Sequence, residues 1–249
     1  MLFSIITVTY NASKWLERTI QSVISQSYPR IEYIVIDGNS TDGTLNLLEK
    51  YKPAIARQVS EPDKGLYDAM NKGLNLASGD YVWFINAGDT LYSENTVQKI
   101  ANLIEGKNLP DIVYGETIVV DAQEIPLGMR RLKAPKNLTW KSFRMGMMVC
   151  HQSFLVKREI ALPYDLQYRF AADYDWCIRN MRKSKTIFNT RLILSRFLEA
   201  GLSAANRKAS LKERYRIMCD NYGKFSTQIL HIWFAIRFYA SKWTKKTVS

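Results

Sequence analysis

Three apolar runs of strand length, residues 2–9, 31–36 and 81–85, each break off at a polar turn. The turns are Tyr10-Asn11-Ala12-Ser13, Asp37-Gly38-Asn39-Ser40-Thr41-Asp42-Gly43-Thr44 and Asn86-Ala87-Gly88-Asp89. The runs are rich in β-branched and aromatic residues, as in strands buried on both faces. Helical spacing fills the gaps between them. Leu16, Ile20, Val23 and Ile24 make one apolar stripe, which stops before Tyr28-Pro29. Residues 44–51 form a second helix, which Ser40, Thr41 or Asp42 can cap and Pro53 ends. A short strand at 56–59 and the loop 60–65 lead to a third helix over 66–77. Strand–helix alternation with short connections predicts parallel strands and right-handed crossovers. The three polar turns then share one sheet edge, where ligands bind in open α/β sheets.

Further along, the pattern predicts a helix at 95–104 and a strand at 112–120. A basic, irregular stretch at 126–144 follows, with Arg130, Arg131, Lys133, Lys136, Lys141 and Arg144. Strands at 150–156 and 187–194 flank a loop, 164–172, and a helix, 173–182. A loop at 199–203 precedes a chain that reads as helical from Asn206. The organisation expected is residues 1–115 for one ligand-binding subdomain, 116–205 for a second, and 206–249 for a tail.

Charge narrows the partners. There are 35 Lys+Arg against 23 Asp+Glu, a formal charge of +12, which favours anions: a nucleotide, nucleic acid or an anionic membrane face. No zinc or RNP-type motif supports nucleic acid. The excess also gathers in the tail, where ten cations face Glu213 and Asp220. Three widely spaced cysteines form no metal pattern or disulfide framework and suit a reducing compartment. With no basic leader at the start and no run of membrane-spanning length, a cytoplasmic location is expected, peripheral on the inner face of the plasma membrane if the tail binds lipid. Thr9-Tyr10-Asn11-Ala12 after the first strand is not the glycine-rich turn of a dinucleotide oxidoreductase or a nucleotidyltransferase.

Several motifs, in order, resemble those of family 2 glycosyltransferases, which have the GT-A fold. The opening strand ending Thr9-Tyr10-Asn11, the Asp37–Thr44 turn, Glu61-Pro62-Asp63-Lys64-Gly65 with Asp68-Ala69-Met70-Asn71-Lys72-Gly73, and Asn86-Ala87-Gly88-Asp89 carry the donor side. His151-Gln152 and Ala171-Ala172-Asp173-Tyr174-Asp175-Trp176 are similar to acceptor-side motifs of the branch that builds bacterial surface polysaccharides. The resemblance covers roughly residues 1–205. It implies an α/β GT-A fold: a mostly parallel, Rossmann-like sheet flanked by helices, with an acceptor-side subdomain and a helical tail.

It also implies an inverting transfer of sugar from a nucleotide diphosphate sugar, UDP-linked by analogy, to a saccharide or lipid-linked saccharide. Thr9, Tyr10, Asn11, Asp37, Asp63, Asp68, Lys72 and Asn86 would contact the nucleotide. Asp89 would hold Mn²⁺ or Mg²⁺, a Lewis acid for the pyrophosphate. Asp173 would be the general base, with His151 and Gln152 on the acceptor side. Two departures stand out. Asn86-Ala87-Gly88-Asp89 keeps one acid, and Gly38 stands where many relatives carry a second acid that contacts the base of the nucleotide. Each residue also has a plainer reading: turn capping for Asp37 and Asp89, helix capping for Asp173 with Asp175 as its rival, a solvated side chain for Lys72, and a core residue for His151. The thinned acid motif leaves a binding-only relative as the alternative function. The tail's aromatic stretch, from His231-Ile232-Trp233-Phe234 to Trp243, suits a helix in an anionic membrane interface. It also suits a helix docked on the catalytic domain or a second subunit, but the tail's excess of cations favours the membrane.

Overall fold

The computed structural model describes residues 1–106, 108–199 and 206–246; for 237–246 it describes the backbone only. Residues 200–203 of the expected loop, and the side chains of Phe238, Tyr239, Lys242 and Trp243, lie outside the described part. The elements run β1 (Phe3–Thr9), α1 (Ser13–Ile24), β2 (Ile31–Asp37), α2 (Thr44–Tyr51), β3 (Arg57–Ser60), α3 (Leu66–Leu76), β4 (Tyr81–Phe84), β5 (Thr90–Leu91) and α4 (Thr96–Ile104). They continue as β6 (Ile112–Val120), β7 (Pro126–Met129), β8 (Phe154–Lys157), α5 (Ala172–Lys183), β9 (Ile187–Leu198), α6 (Arg207–Tyr222) and α7 (Lys224–Lys246).

One sheet joins the strands in the order β3-β2-β1-β4-β8-β6-β9-β5, with β7 paired to β6. The long ladders, β1 with β2 and β4, β2 with β3, and β6 with β9, are parallel. The shorter pairings of β8 with β4 and β6, β5 with β9, and β7 with β6 are antiparallel. Alternation along the parallel strands serves two cores. Ile6, Val8, Ile34, Ile36, Val82 and Phe84 face the layer containing Met70 of α3 and Trp176 of α5. Phe3, Ile5, Tyr33, Val35, Tyr81 and Trp83 face Leu16, Ile20, Leu48 and Val97 on α1, α2 and α4. Gly73 lets α3 lie close on the sheet, since a Cβ there would stand 2.5 Å from Ile6 Cγ2.

Four expectations need correction. Residues 126–144 are not wholly irregular. Pro126–Met129 forms β7, and Trp140–Met145 a 3-10 turn opened by a Thr139–Ser142 capping box. All four β7 residues are exposed, so no burial alternation marks the strand; pairing with β6 sustains it. Residues 150–153 turn before β8 begins at Phe154. β9 runs on to Leu198, and its far end pairs with β5, a two-residue strand too short to leave a periodic signal. β6 also runs continuously across the expected division at 115/116.

Candidate active site

The parallel register brings the ends of β1, β2 and β4 to one edge: Thr9 pairs with Asp37, and the Ala87 amide donates to the Val8 carbonyl. The turns beyond are welded together. Asn11 adopts a left-handed backbone (φ 47°), donates its N–H to Ser40 Oγ at 2.7 Å, and accepts from the Thr41 amide at 2.8 Å. The Ser13 amide donates to Asp42.

The acids on this rim differ in what they face. Asp37 is 0% exposed, and its carboxylate accepts from the Ser40 amide, the Ser40 hydroxyl and, at 2.7 Å, the Ser60 hydroxyl. It ties its turn to β3. Asp63 is half-buried. Its Oδ1 accepts from the Gly65 amide, while Oδ2 fills the space beside Gly38, 2.5 Å from where a Cβ would stand. The Tyr10 ring borders the same space and is 64% exposed. Asp68 accepts from the Lys64 amide at the start of α3. Lys72 reaches back to the Pro62 carbonyl and the Glu61 carboxylate, both at 2.8 Å, instead of standing free in solvent. Two rim atoms, Thr9 Oγ1 and Asn86 Oδ1, are buried with no hydrogen-bond partner. Buried polar atoms are nearly always paired, which sets these two apart.

Asp89 lies deeper. Gly88 turns the chain with φ 102°, and its amide donates to Thr19 Oγ1. That turn aims the Asp89 carboxylate inward, where it is 5% exposed. Oδ1 accepts from the Leu198 amide at 2.9 Å and Oδ2 from Gln152 Nε2 at 2.6 Å. Burial pushes its pKa up to about 7, against the pull of Leu198, Gln152 and Arg18. This donor set does not fit a resident cation. One carboxylate is present, an N–H donor already occupies each oxygen, and no cluster of three acid, histidine or cysteine ligands exists among the described residues. Asp89 instead clamps the β4 turn to Gln152 and to the end of β9.

Acceptor-side residues form an aromatic block. His151 is 3% exposed, stacks on Phe84 with ring centroids 5.4 Å apart, and hydrogen-bonds Tyr164 through Nε2. Tyr164 stacks on Trp176 at 4.9 Å and on Tyr67 at 5.6 Å. Burial pushes the His151 pKa down to about 4, partly offset by Asp173, so the ring is neutral at neutral pH. The core reading of His151 is the one this geometry supports. Gln152 accepts from Cys150 Sγ and, through its carbonyl, from Trp83 Nε1.

Asp173 and Asp175 separate cleanly. Asp175 is buried and paired with Arg179 Nε at 2.5 Å. Asp173 is half-buried in the first turn of α5 and accepts from the Tyr67 hydroxyl at 3.2 Å, across from α3. Helical neighbours two apart point to different faces, and of these two only Asp173 is not fully buried. Sequence reasoning missed Tyr67, Tyr164 and Glu213, which holds the loop before α5 (Arg169, Phe170 and Ala171). The one signal for Glu213 was an acid standing alone among tail cations.

The family model "Glycosyl transferase family 2" matches residues 4–162. An uncharacterized glycosyltransferase of Mycobacterium tuberculosis is 30% identical over 227 residues, covering 89% of this chain and 84% of that protein. A putative teichuronic acid biosynthesis glycosyltransferase of Bacillus subtilis is 36% identical over 162 residues, covering 64% and 63%. Among solved structures, Staphylococcus aureus TarS 1-349 in complex with UDP-GlcNAc superposes with a TM-score of 0.69 at 18% identity, covering 96% of this chain and 73% of that one.

Proposed function

This chain belongs to glycosyl transferase family 2, and we propose that it transfers a sugar, with inversion, from a UDP-linked donor to a saccharide or lipid-linked saccharide in surface-polysaccharide synthesis. The observation that carries the proposal is Asp173: a half-buried carboxylate on the first turn of α5, turned toward α3 and held by Tyr67. There it takes the proton from an acceptor hydroxyl as that oxygen attacks the anomeric carbon. The bond to the nucleoside diphosphate breaks on the opposite side, and one direct displacement inverts the centre. Tyr10, Asp63, Thr9 Oγ1 and Asn86 Oδ1 form the donor's side of the cleft. Support for a UDP sugar comes from TarS, whose structure holds UDP-GlcNAc. A teichuronic acid relative supports the polysaccharide setting. A divalent ion, Mn²⁺ or Mg²⁺, would come with the donor's pyrophosphate, since no preformed cage for one exists among the described residues.

We place the acceptor at an anionic membrane face. No described helix is long and apolar enough to cross a membrane. Helix α7 holds no acid, yet Phe225, Ile229, Ile232 and Ile236 are 52–76% exposed at helical spacing along one side. Co-sedimentation with anionic vesicles at low salt is expected; equal pelleting with neutral vesicles, or none with either, removes this element.

The test of the main reading is thermal stabilisation by UDP, GDP, dTDP and ADP with and without Mn²⁺, followed by turnover of the matching nucleotide sugars. One nucleotide is expected to raise Tm, more so with Mn²⁺. Binding without turnover would instead favour a binding-only relative, a reading to which the closed Asp89 lends some weight.

A further inference from the structure

Helix α5 begins without a cap of its own: Ala171 stands at the N-cap and offers no side-chain acceptor. The first amides of a helix have no partner within it. Here the amides leading into the helix are met from elsewhere in the chain. Glu213, in the middle of α6, accepts from the Arg169 amide through Oε1 at 2.9 Å. Through Oε2 it accepts from the Phe170 amide at 2.7 Å and the Ala171 amide at 3.0 Å. Three consecutive amides, ending two residues before Asp173, hang on one carboxylate.

The same loop is held twice more from α6. Arg216 Nη2 donates to Gln167 Oε1 at 2.9 Å, and the Tyr168 hydroxyl donates to Asp220 Oδ2 at 3.2 Å. Glu213 and Asp220 are the only acids from residue 206 onward, and both are spent on this loop. Membrane attraction gives no reason for them, because each lowers the tail's positive charge. A role in placing the loop does. α6 is fastened independently of these contacts, through the buried Ile217 and Met218 and the stacking of Tyr222 on Trp140 at 5.5 Å. It can therefore serve as a fixed support.

We propose that Glu213 is a positioning residue: it fixes the entry of α5 and so the place of the Asp173 carboxylate opposite Tyr67. The tail's first helix is then part of the acceptor site, and α7 connects that site to whatever surface the tail rests on. The proposal rests on the reading of Asp173 as general base.

The experiment is steady-state kinetics on the full chain with Glu213→Ala and Glu213→Gln, alongside donor-induced thermal shifts and amide exchange at residues 169–171. A base displaced by about 1 Å costs on the order of a hundredfold. The expected result is a kcat reduced about tenfold to a hundredfold in Glu213→Ala, with donor KM and donor-induced shift unchanged and exchange at 169–171 accelerated. Glu213→Gln, which keeps one acceptor oxygen, should recover part of the loss. A kcat within about twofold of wild type, or a parallel fall of kcat and donor binding, would overturn the proposal; if Glu213→Ala does not fold, Glu213→Gln is judged by the same outcomes. Normal turnover by the Asp173→Asn variant sinks the base reading, and exchange at 169–171 still decides whether Glu213 holds the loop.

Discussion

The two sides of the proposed cleft are built differently. On the donor side, most acids have a partner close to home: Asp37 binds Ser40 three residues on, Asp63 the Gly65 amide two on, and Asp68 the Lys64 amide four back, although Asp37 also reaches Ser60 and Asp42 the Ser13 amide. On the acceptor side, partners come from far along the chain. Tyr67 meets Asp173 across 106 residues and Glu213 meets Ala171 across 42, while Asp89 of the donor-side motif reaches over to Gln152 across 63. The donor rim is thus shaped by turns that carry their own hydrogen bonds and is set once the strands align. The acceptor rim is shaped by packing, and each functional group there is only as well placed as the aromatic block and helix α6 behind it. Faults in the first should remain local, whereas faults in the second should spread.

The sharpest break between the two sides is Asp173→Asn. It is expected to lower kcat by about 10²–10⁴-fold, the usual worth of a general base, while leaving the donor-induced rise in Tm intact. A matching loss of donor binding would erase the division. Next comes His151, the buried centre of the acceptor block. Its pKa lies near 4 when folded against about 6.5 unfolded. Between those values the unfolded chain binds more protons. The stability contribution is therefore full above pH 6.5 and is lost as pH falls toward 4, on the order of 3 kcal/mol. The raised Asp89 pKa gives an opposite slope in the same window, so the readout is the difference between urea melts of wild type and His151→Gln from pH 7 to 4; parallel curves would mean that His151 does not titrate with folding.

The smallest effect belongs to the donor rim. Thr9 Oγ1 is buried and unpaired, so Thr9→Val should stabilise the ligand-free protein by about 1 kcal/mol. It should also weaken nucleotide binding severalfold, with kcat nearly unchanged. A Thr9→Val protein that is less stable and binds as tightly as before would show that the hydroxyl has a partner in the fold and none in the donor.

The regular part of the fold was legible in the chain. α2 matches its expected span, and β1, β2, α1 and α3 lie within a few residues of theirs, because buried alternation, helical stripes and proline stops are local signals. What lacked such a signal went unseen. β7 is fully exposed, β5 has two residues, and residues 150–153 are buried without being a strand.

The candidate site divides along the same line. Sequence alone determined that Thr9, Asp37 and the Asn86–Asp89 turn lie on one edge, since parallel strands must end together, and it determined the family through motif order. Only the tertiary structure decided what each side chain does there. It turned Asp37 and Asp89 inward as clamps, left Thr9 Oγ1 and Asn86 Oδ1 unpaired, paired Asp175 with Arg179 while leaving Asp173 half-buried against Tyr67, and set Glu213 on the loop before α5. The reason is physical. A carboxylate's role depends on which donors reach it and how much water remains, and both are set by segments tens of residues away in the chain.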